Sequence, residues 1–188
     1  MTPMREFSRF VRLALCSAAL CAGVASASTP AVDAEVAVKA AVMHKIAKFV
    51  VWPESAFDSG NSPIVFCVAG DNRMYAALSS LDGSPVHGRT VIVRRIAEPA
   101  EAAQACQVLY LTTDDPDRTQ IWLQEIVDRP VLTFADAESH CGEYCIVTMT
   151  IRRNKVRFAI NLDANENTGL SISAQLLQLA ATVARGGP

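Results

Sequence analysis

Several signatures of chemistry are missing from this sequence. It has no Gly-x-Ser-x-Gly nucleophile elbow and no Cys-x-x-Cys redox pair. No Gly-x-Gly-x-x-Gly loop is present, which excludes a dinucleotide cradle of that kind. The three histidines, His44, His87 and His140, are scattered rather than set at metal-ligand spacing. No basic excess exists either. Without the leader described below, 14 basic and 18 acidic residues remain, a net charge of −4. That balance argues against nucleic acid and anionic lipid as main partners. Past the leader there is no apolar run of membrane-spanning length, no internal repeat and no low-complexity segment.

The leader is residues 1–27. Arg5, Arg9 and Arg12 form a positive n-region, residues 13–24 an apolar stretch, and Ala25-Ser26-Ala27 a small-x-small cleavage site. Cys16 and Cys21 each follow a leucine, which does not fit a lipid-attachment site. Cleavage leaves residues 28–188 as one exported domain, large enough for a real core. A bacterial periplasm is the expected compartment.

Export leaves four cysteines, Cys67, Cys106, Cys141 and Cys145. An even count in an oxidising compartment reads as two disulfides, with three possible pairings.

The chain opens with a helix whose N-cap and first position are Thr29 and Pro30, and residues 32–50 plot as two stripes. Val32, Val36, Ala40, Met43, Ile46, Ala47 and Val50 make one apolar stripe, and Val38, Val42 and Phe49 a second beside it. The combined arc is about 200°, wider than one core contact needs. The helix is therefore either sunk in its own core or shared between its sheet and a second surface. Trp52-Pro53 ends it. Buried strands follow at residues 64–69, 90–96, 106–112 and 131–134, with helices at 73–80, 99–105 and 113–127 between them. Residues 145–152 and 155–161 form a hairpin about Arg153-Asn154. Ser173 caps a final helix carrying Leu176, Leu177, Ala180 and Val183 on one side.

This order implies an α/β fold: a single layered domain, a mostly parallel sheet flanked by helices, with an antiparallel hairpin at one edge. In a doubly wound sheet the first and third strands are often neighbours, which favours Cys67–Cys106. Cys141–Cys145 is then a local bridge. Chain entropy assigns about 4 kcal/mol to the long bridge and about 2 to the short one.

Other groupings have ordinary explanations. His140-Cys141-Gly142-Glu143-Tyr144-Cys145 holds three soft-metal ligands but no fourth, so no metal is expected. Gly70-Asp71-Asn72 opens a helix after a strand, where a small ligand would sit. Asp114, Asp115 and Asp117 read as helix-start residues. No cofactor and no catalytic set is indicated.

The chain resembles the YfiR-like family of small exported bacterial proteins. The resemblance is carried by Ile46-Ala47-Lys48-Phe49-Val50-Val51-Trp52-Pro53, Val65-Phe66-Cys67-Val68-Ala69-Gly70-Asp71, Gly88-Arg89-Thr90-Val91, Ala105-Cys106-Gln107-Val108-Leu109-Tyr110-Leu111, Val156-Arg157-Phe158-Ala159-Ile160-Asn161 and Leu170-Ser171-Ile172-Ser173. Val42-Met43-His44 stands where the family often has aromatics. The resemblance implies a non-enzymatic periplasmic regulator, often dimeric, with disulfides that serve stability and redox response. Such a protein binds the periplasmic part of an inner-membrane diguanylate cyclase and holds it inactive. An outer-membrane peptidoglycan-associated lipoprotein can sequester it. The expected contact residues are His44, Lys45, Lys48, Phe49 and Trp52. The alternative is a periplasmic small-ligand-binding protein that uses the strand ends near Gly70.

Overall fold

The computed structural model describes residues 30–185. The expected leader, residues 1–27, and the terminal Gly186-Gly187-Pro188 lie outside the described residues. The elements are α1 (Pro30–Ala47), β1 (Val50–Val51), β2 (Ile64–Ala69), α2 (Asn72–Ser79), β3 (Pro85–Val86), β4 (Arg89–Arg95), α3 (Pro99–Ala105), β5 (Val108–Leu111), α4 (Pro116–Ile126), β6 (Leu132–Asp136), β7 (Val147–Arg152), β8 (Lys155–Asn161), β9 (Ser171–Ile172), α5 (Ala174–Leu179) and β10 (Thr182–Ala184). Single 3₁₀ turns lie at Glu54–Ala56 and His140–Glu143.

The helices start where side chains satisfy their first amides. Asp71 accepts from the amides of Arg73 and Met74 and opens α2. Glu101 reaches back to the amide of Glu98 (3.2 Å), with Pro99 at the first position of α3. Asp115 caps α4 and Asp117 sits in its first turn, the helix-start role expected of that acidic run.

Eight strands form one sheet in the order β3-β4-β2-β5-β6-β7-β8-β10. The five from β4 to β7 are parallel, and β8 runs antiparallel to β7 as the expected hairpin. A second, two-stranded sheet pairs β1 with β9. The chain leaves β2 for β4 on one side and returns to β5 on the other, so β2 and β5 flank the point where the winding reverses. Alternation along each strand divides the core into two layers. Ile64, Phe66, Val68, Tyr110 and Phe134 pack under α1 and α2. Cys67, Leu109, Leu111 and Ala135 pack under α3 and α4.

Two boundaries differ from the sequence reading. The first helix stops at Ala47, because the amides of Lys48 and Phe49 close 3₁₀-type turns onto Lys45 and Ile46. Val50 and Val51 then pair with Ile172 and Ser171. The last helix stops at Leu179, and residues 182–184 become the edge strand β10, alongside residues 159–161 of β8. Val183, which has helical spacing from Ala180, is thus a strand residue: the free edge of β8 offers backbone partners that a further helical turn would not use.

Candidate functional site

The first helix is alanine-rich, with no glycine or proline past its first position, and its inner stripe is fully spent on the sheet. Val36, Ala40, Met43, Ile46 and Ala47 are all buried. An ion pair adds to this. Nζ of Lys39 lies 2.8 Å from Oδ2 of Asp136 at the end of β6. The hydroxyl of Tyr110 donates to the same oxygen at 3.0 Å. Burial, and then the charge of Asp136, push the Tyr110 hydroxyl well above its usual pKa, so the phenol keeps its proton. Oδ1 of Asp136 is buried with no hydrogen-bond partner among the described residues.

The second stripe is not spent in the same way. Val38 stays 50% exposed, while Val42 and Phe49 are half-buried against the core edge. Of the five expected contact residues, Lys45 and Lys48 are open to solvent. His44 and Phe49 are half-buried. Trp52, the fifth, is only 7% exposed, and its indole N–H donates to the carbonyl oxygen of Gln107 at 3.1 Å. An indole buried with its N–H satisfied is a core residue. Gln107 also receives the Val65 amide on Oε1 and donates Nε2 to the carbonyl of Ala56, so one side chain ties the loop after Trp52 to the sheet.

Sequence reasoning missed how the end of α1 is held. Ser84 donates to the carbonyl of Leu81 (2.6 Å), so its oxygen accepts from Nε2 of His44 (3.1 Å). His87, in the turn after β3, donates from Nε2 to the carbonyl of Val50 (2.8 Å). The two histidines bracket the helix end against the β3–β4 turn. Burial lowers the pKa of His44, and the nearby Lys48 charge lowers it further, against a smaller opposing contact at the Pro85 backbone. Val51, 58% exposed and three residues after Lys48, adds an apolar surface that a two-residue strand gives no periodicity to reveal.

The cysteines divide unequally. Cys67 and Cys106 are bridged, with Cα atoms 5.8 Å apart, as the neighbouring positions of β2 and β5 led one to expect. The expected second bridge is not formed: Cys141 and Cys145 are both free and buried. They sit across the 3₁₀ turn, where the Cys145 amide bonds to the Cys141 carbonyl (3.1 Å). The Cys141 sulfur lies instead 3.6 Å from the Thr113 carbonyl oxygen and 3.6 Å from the Thr119 hydroxyl. Burial, then Cys141, push the Cys145 thiol far up, so it stays protonated. His140 stands outside this pair, its ring 5.9 Å from that of Tyr144. Among the described residues no three of His, Cys, Asp and Glu converge as metal ligands.

At Gly70 the chain turns with φ +91°, and a Cβ there would collide with the carbonyl oxygen of Thr112. The carboxylate of Asp71 is engaged in capping α2. The strand-end turn is thus closed by its own backbone, not shaped around a ligand. No described helix is long and apolar enough to cross a membrane.

A solved structure titled a conserved domain protein from Vibrio cholerae O1 biovar El Tor strain N16961 is similar over 79% of this chain at 13% identity, with a TM-score of 0.45. The chain spans 60% of the length of that one. The family model described as YfiR/HmsC-like matches residues 36–181, more than three quarters of the chain. That match covers α1 from its first buried valine, both bridged cysteines and the whole sheet up to the start of β10: the chain belongs to the YfiR/HmsC-like family.

Proposed function

We propose that this protein is a periplasmic repressor that binds the periplasmic sensor region of an inner-membrane diguanylate cyclase and holds the enzyme inactive, lowering cyclic di-GMP and biofilm formation. Members of the YfiR/HmsC-like family regulate such cyclases from the periplasm. The observation that carries the reading is the outer face of α1. Among the described residues Lys45 and Lys48 have no ion pair; Val38 is exposed on α1 and Val51 on β1 just after it, and the end of α1 is held by His44, His87 and the core. A rigid face loses little entropy on binding. His44, Lys45, Lys48 and Phe49 supply the contacts, and Trp52 positions them from beneath. To carry a cyclase from almost wholly active to almost wholly inactive, the repressor must bind the inactive state about 10⁴-fold tighter than the active one.

An outer-membrane peptidoglycan-associated lipoprotein competing for the same face relieves repression, and the working unit is a homodimer. The Cys67–Cys106 bridge supplies disulfide-dependent stability. Reduction of that bridge when the domain opens supplies the redox response, since Cys141 and Cys145 are buried thiols. The ligand-binding alternative finds no support in the closed turn at Gly70.

The test is intracellular cyclic di-GMP in a strain lacking the protein, with and without the mature domain exported. A rise on deletion that export reverses supports repression. No change, with the cyclase expressed, removes it.

A further inference from the structure

The β7–β8 hairpin carries charge that the fold does not use. Arg152, Arg153, Lys155 and Arg157 fall within six residues, all exposed. They are four of the 14 basic residues in a mature domain of net charge −4. None has an ion pair or side-chain hydrogen bond among the described residues; the ion pairs there are Lys39–Asp136 and Arg73–Asp71.

Two features set these cations against the stability of the hairpin. Arg152 and Lys155 lie directly opposite each other across the strands, a like-charge pair. Arg153 and Asn154 take φ of +51° and +57°, the mirror-image turn that favours Asn-Gly and penalises a long side chain at its first position. A hairpin shaped by folding alone would carry neither.

Arg152, Lys155 and Arg157 also share a face. Thr148, Thr150 and Arg152 alternate with the buried Val147 and Met149, and their cross-strand partners are Ala159, Arg157 and Lys155. This face lies on the side of the sheet covered elsewhere by α3 and α4, but these helices pack over β2, β5 and β6. Over β7, β8 and β10 the face is an open trough of about 890 Å³, floored by alanines and rimmed by threonine hydroxyls and the cations. At its margin β10 is the terminal strand of the sheet, exposed throughout, and among the described residues no strand pairs with its outer backbone edge.

We infer that this trough and the β10 edge form a second interaction surface, which takes an extended acidic polypeptide segment of a partner protein. An extended chain matches a trough that runs along strands, and it can add to the free edge by backbone hydrogen bonds. Alternate carboxylates then meet Arg152, Lys155 and Arg157, which suits the arginines in particular. The surface is separate from the α1 face and does not depend on what that face binds.

The probe is a labelled peptide of about ten residues, long enough for one strand, alternating glutamate and threonine. It is titrated into the full mature protein and read by fluorescence anisotropy. Binding that weakens about tenfold in R152Q/K155Q/R157Q, but not in the equally neutralised R94Q/R118Q/R129Q, supports the assignment. Circular dichroism confirms that both variants are folded. Equal weakening in the two variants reduces the effect to net charge and overturns it. So does absence of binding at low salt. Phosphatidylglycerol vesicles that displace the peptide and bind more tightly would make the surface a lipid site, and displacement by inorganic phosphate would make it a small-anion site. Either result overturns the peptide assignment.

Discussion

Lys39 on the first helix and Asp136 at the end of the sixth strand stand 2.8 Å apart, and this pair joins the candidate binding helix to the far half of the sheet. Their side chains are only 12% and 24% exposed. Breaking such a pair by removing one partner is worse than never having it, because the other charge stays buried. Asp136 has one oxygen already without a hydrogen-bond partner among the described residues, so it would be left with Tyr110 alone. Lys39→Met should destabilise by about 2–3 kcal/mol, and Lys39→Met with Asp136→Leu by less than Lys39→Met alone. Urea unfolding of the two variants measures the difference. A single variant within error of wild type would show the pair to be idle.

The Cys67–Cys106 bridge closes a loop with a sequence separation of 39. Both cysteines are buried, so a reductant reaches the bridge only when the domain opens. Cys67→Ala with Cys106→Ala should lower stability by about 4 kcal/mol, the chain-entropy value for a loop of that length. Thermal unfolding, followed with and without reductant, checks this: the reductant should lower the wild-type midpoint toward that of the double variant.

His44 gives a pH dependence of defined sign. Its pKa in the folded protein lies below the usual 6.5, first because of burial and then because of Lys48. The unfolded chain therefore binds the proton more readily. The contribution to stability is complete above pH 6.5 and is lost as pH falls through the folded value. His44→Gln removes this slope while keeping a donor for Ser84. Lys48→Glu weakens it by taking away one of the two causes. Stability curves between about pH 7 and pH 5 compare the three proteins. A steeper loss in His44→Gln than in wild type would contradict the assignment.

Much of this fold is legible from alternation. The run Val147, Met149, Ile151 against Thr148, Thr150, Arg152 states which face is core, and the hairpin partner repeats the pattern. β5 lies beside β2 because the βα units wind about β2, and that placed Cys67 beside Cys106. What sequence could not give were features decided by partners distant in the chain. Val50–Val51 and Thr182–Ala184 are strands because β9 and β8 present free edges to them. The spacing of Cys141 and Cys145 permits a bridge, but the Cys141 thiol lies beside Thr113 and Thr119.

The α1 face makes a separable prediction. Among the described residues Lys45 and Lys48 are exposed and without an ion pair, so Lys45→Gln with Lys48→Gln should cost no more than about 1 kcal/mol, the favourable effect of cations at the C-terminal end of α1. Repression should fail if this face meets the cyclase. Cellular cyclic di-GMP in the complemented strain, beside the unfolding midpoint of the purified variant, separates the two effects. Full repression by a stable variant would move the contact elsewhere.

Lys155 sets stability against binding at a single position. It faces Arg152 across the hairpin, and like charges there are unfavourable. Lys155→Glu turns the repulsion into an ion pair between exposed side chains, so stability should rise by about 0.2–1 kcal/mol. The same change puts a carboxylate in the trough and should weaken the acidic peptide. Lys155→Thr is the neutral comparison: it removes the repulsion, favours the strand and leaves Arg152 and Arg157 in place. If both variants gain stability while peptide affinity falls in the order wild type, threonine, glutamate, the cations are held on the hairpin for binding. If stability falls in both, Lys155 serves the fold, and the repulsion with Arg152 is relieved by solvent alone.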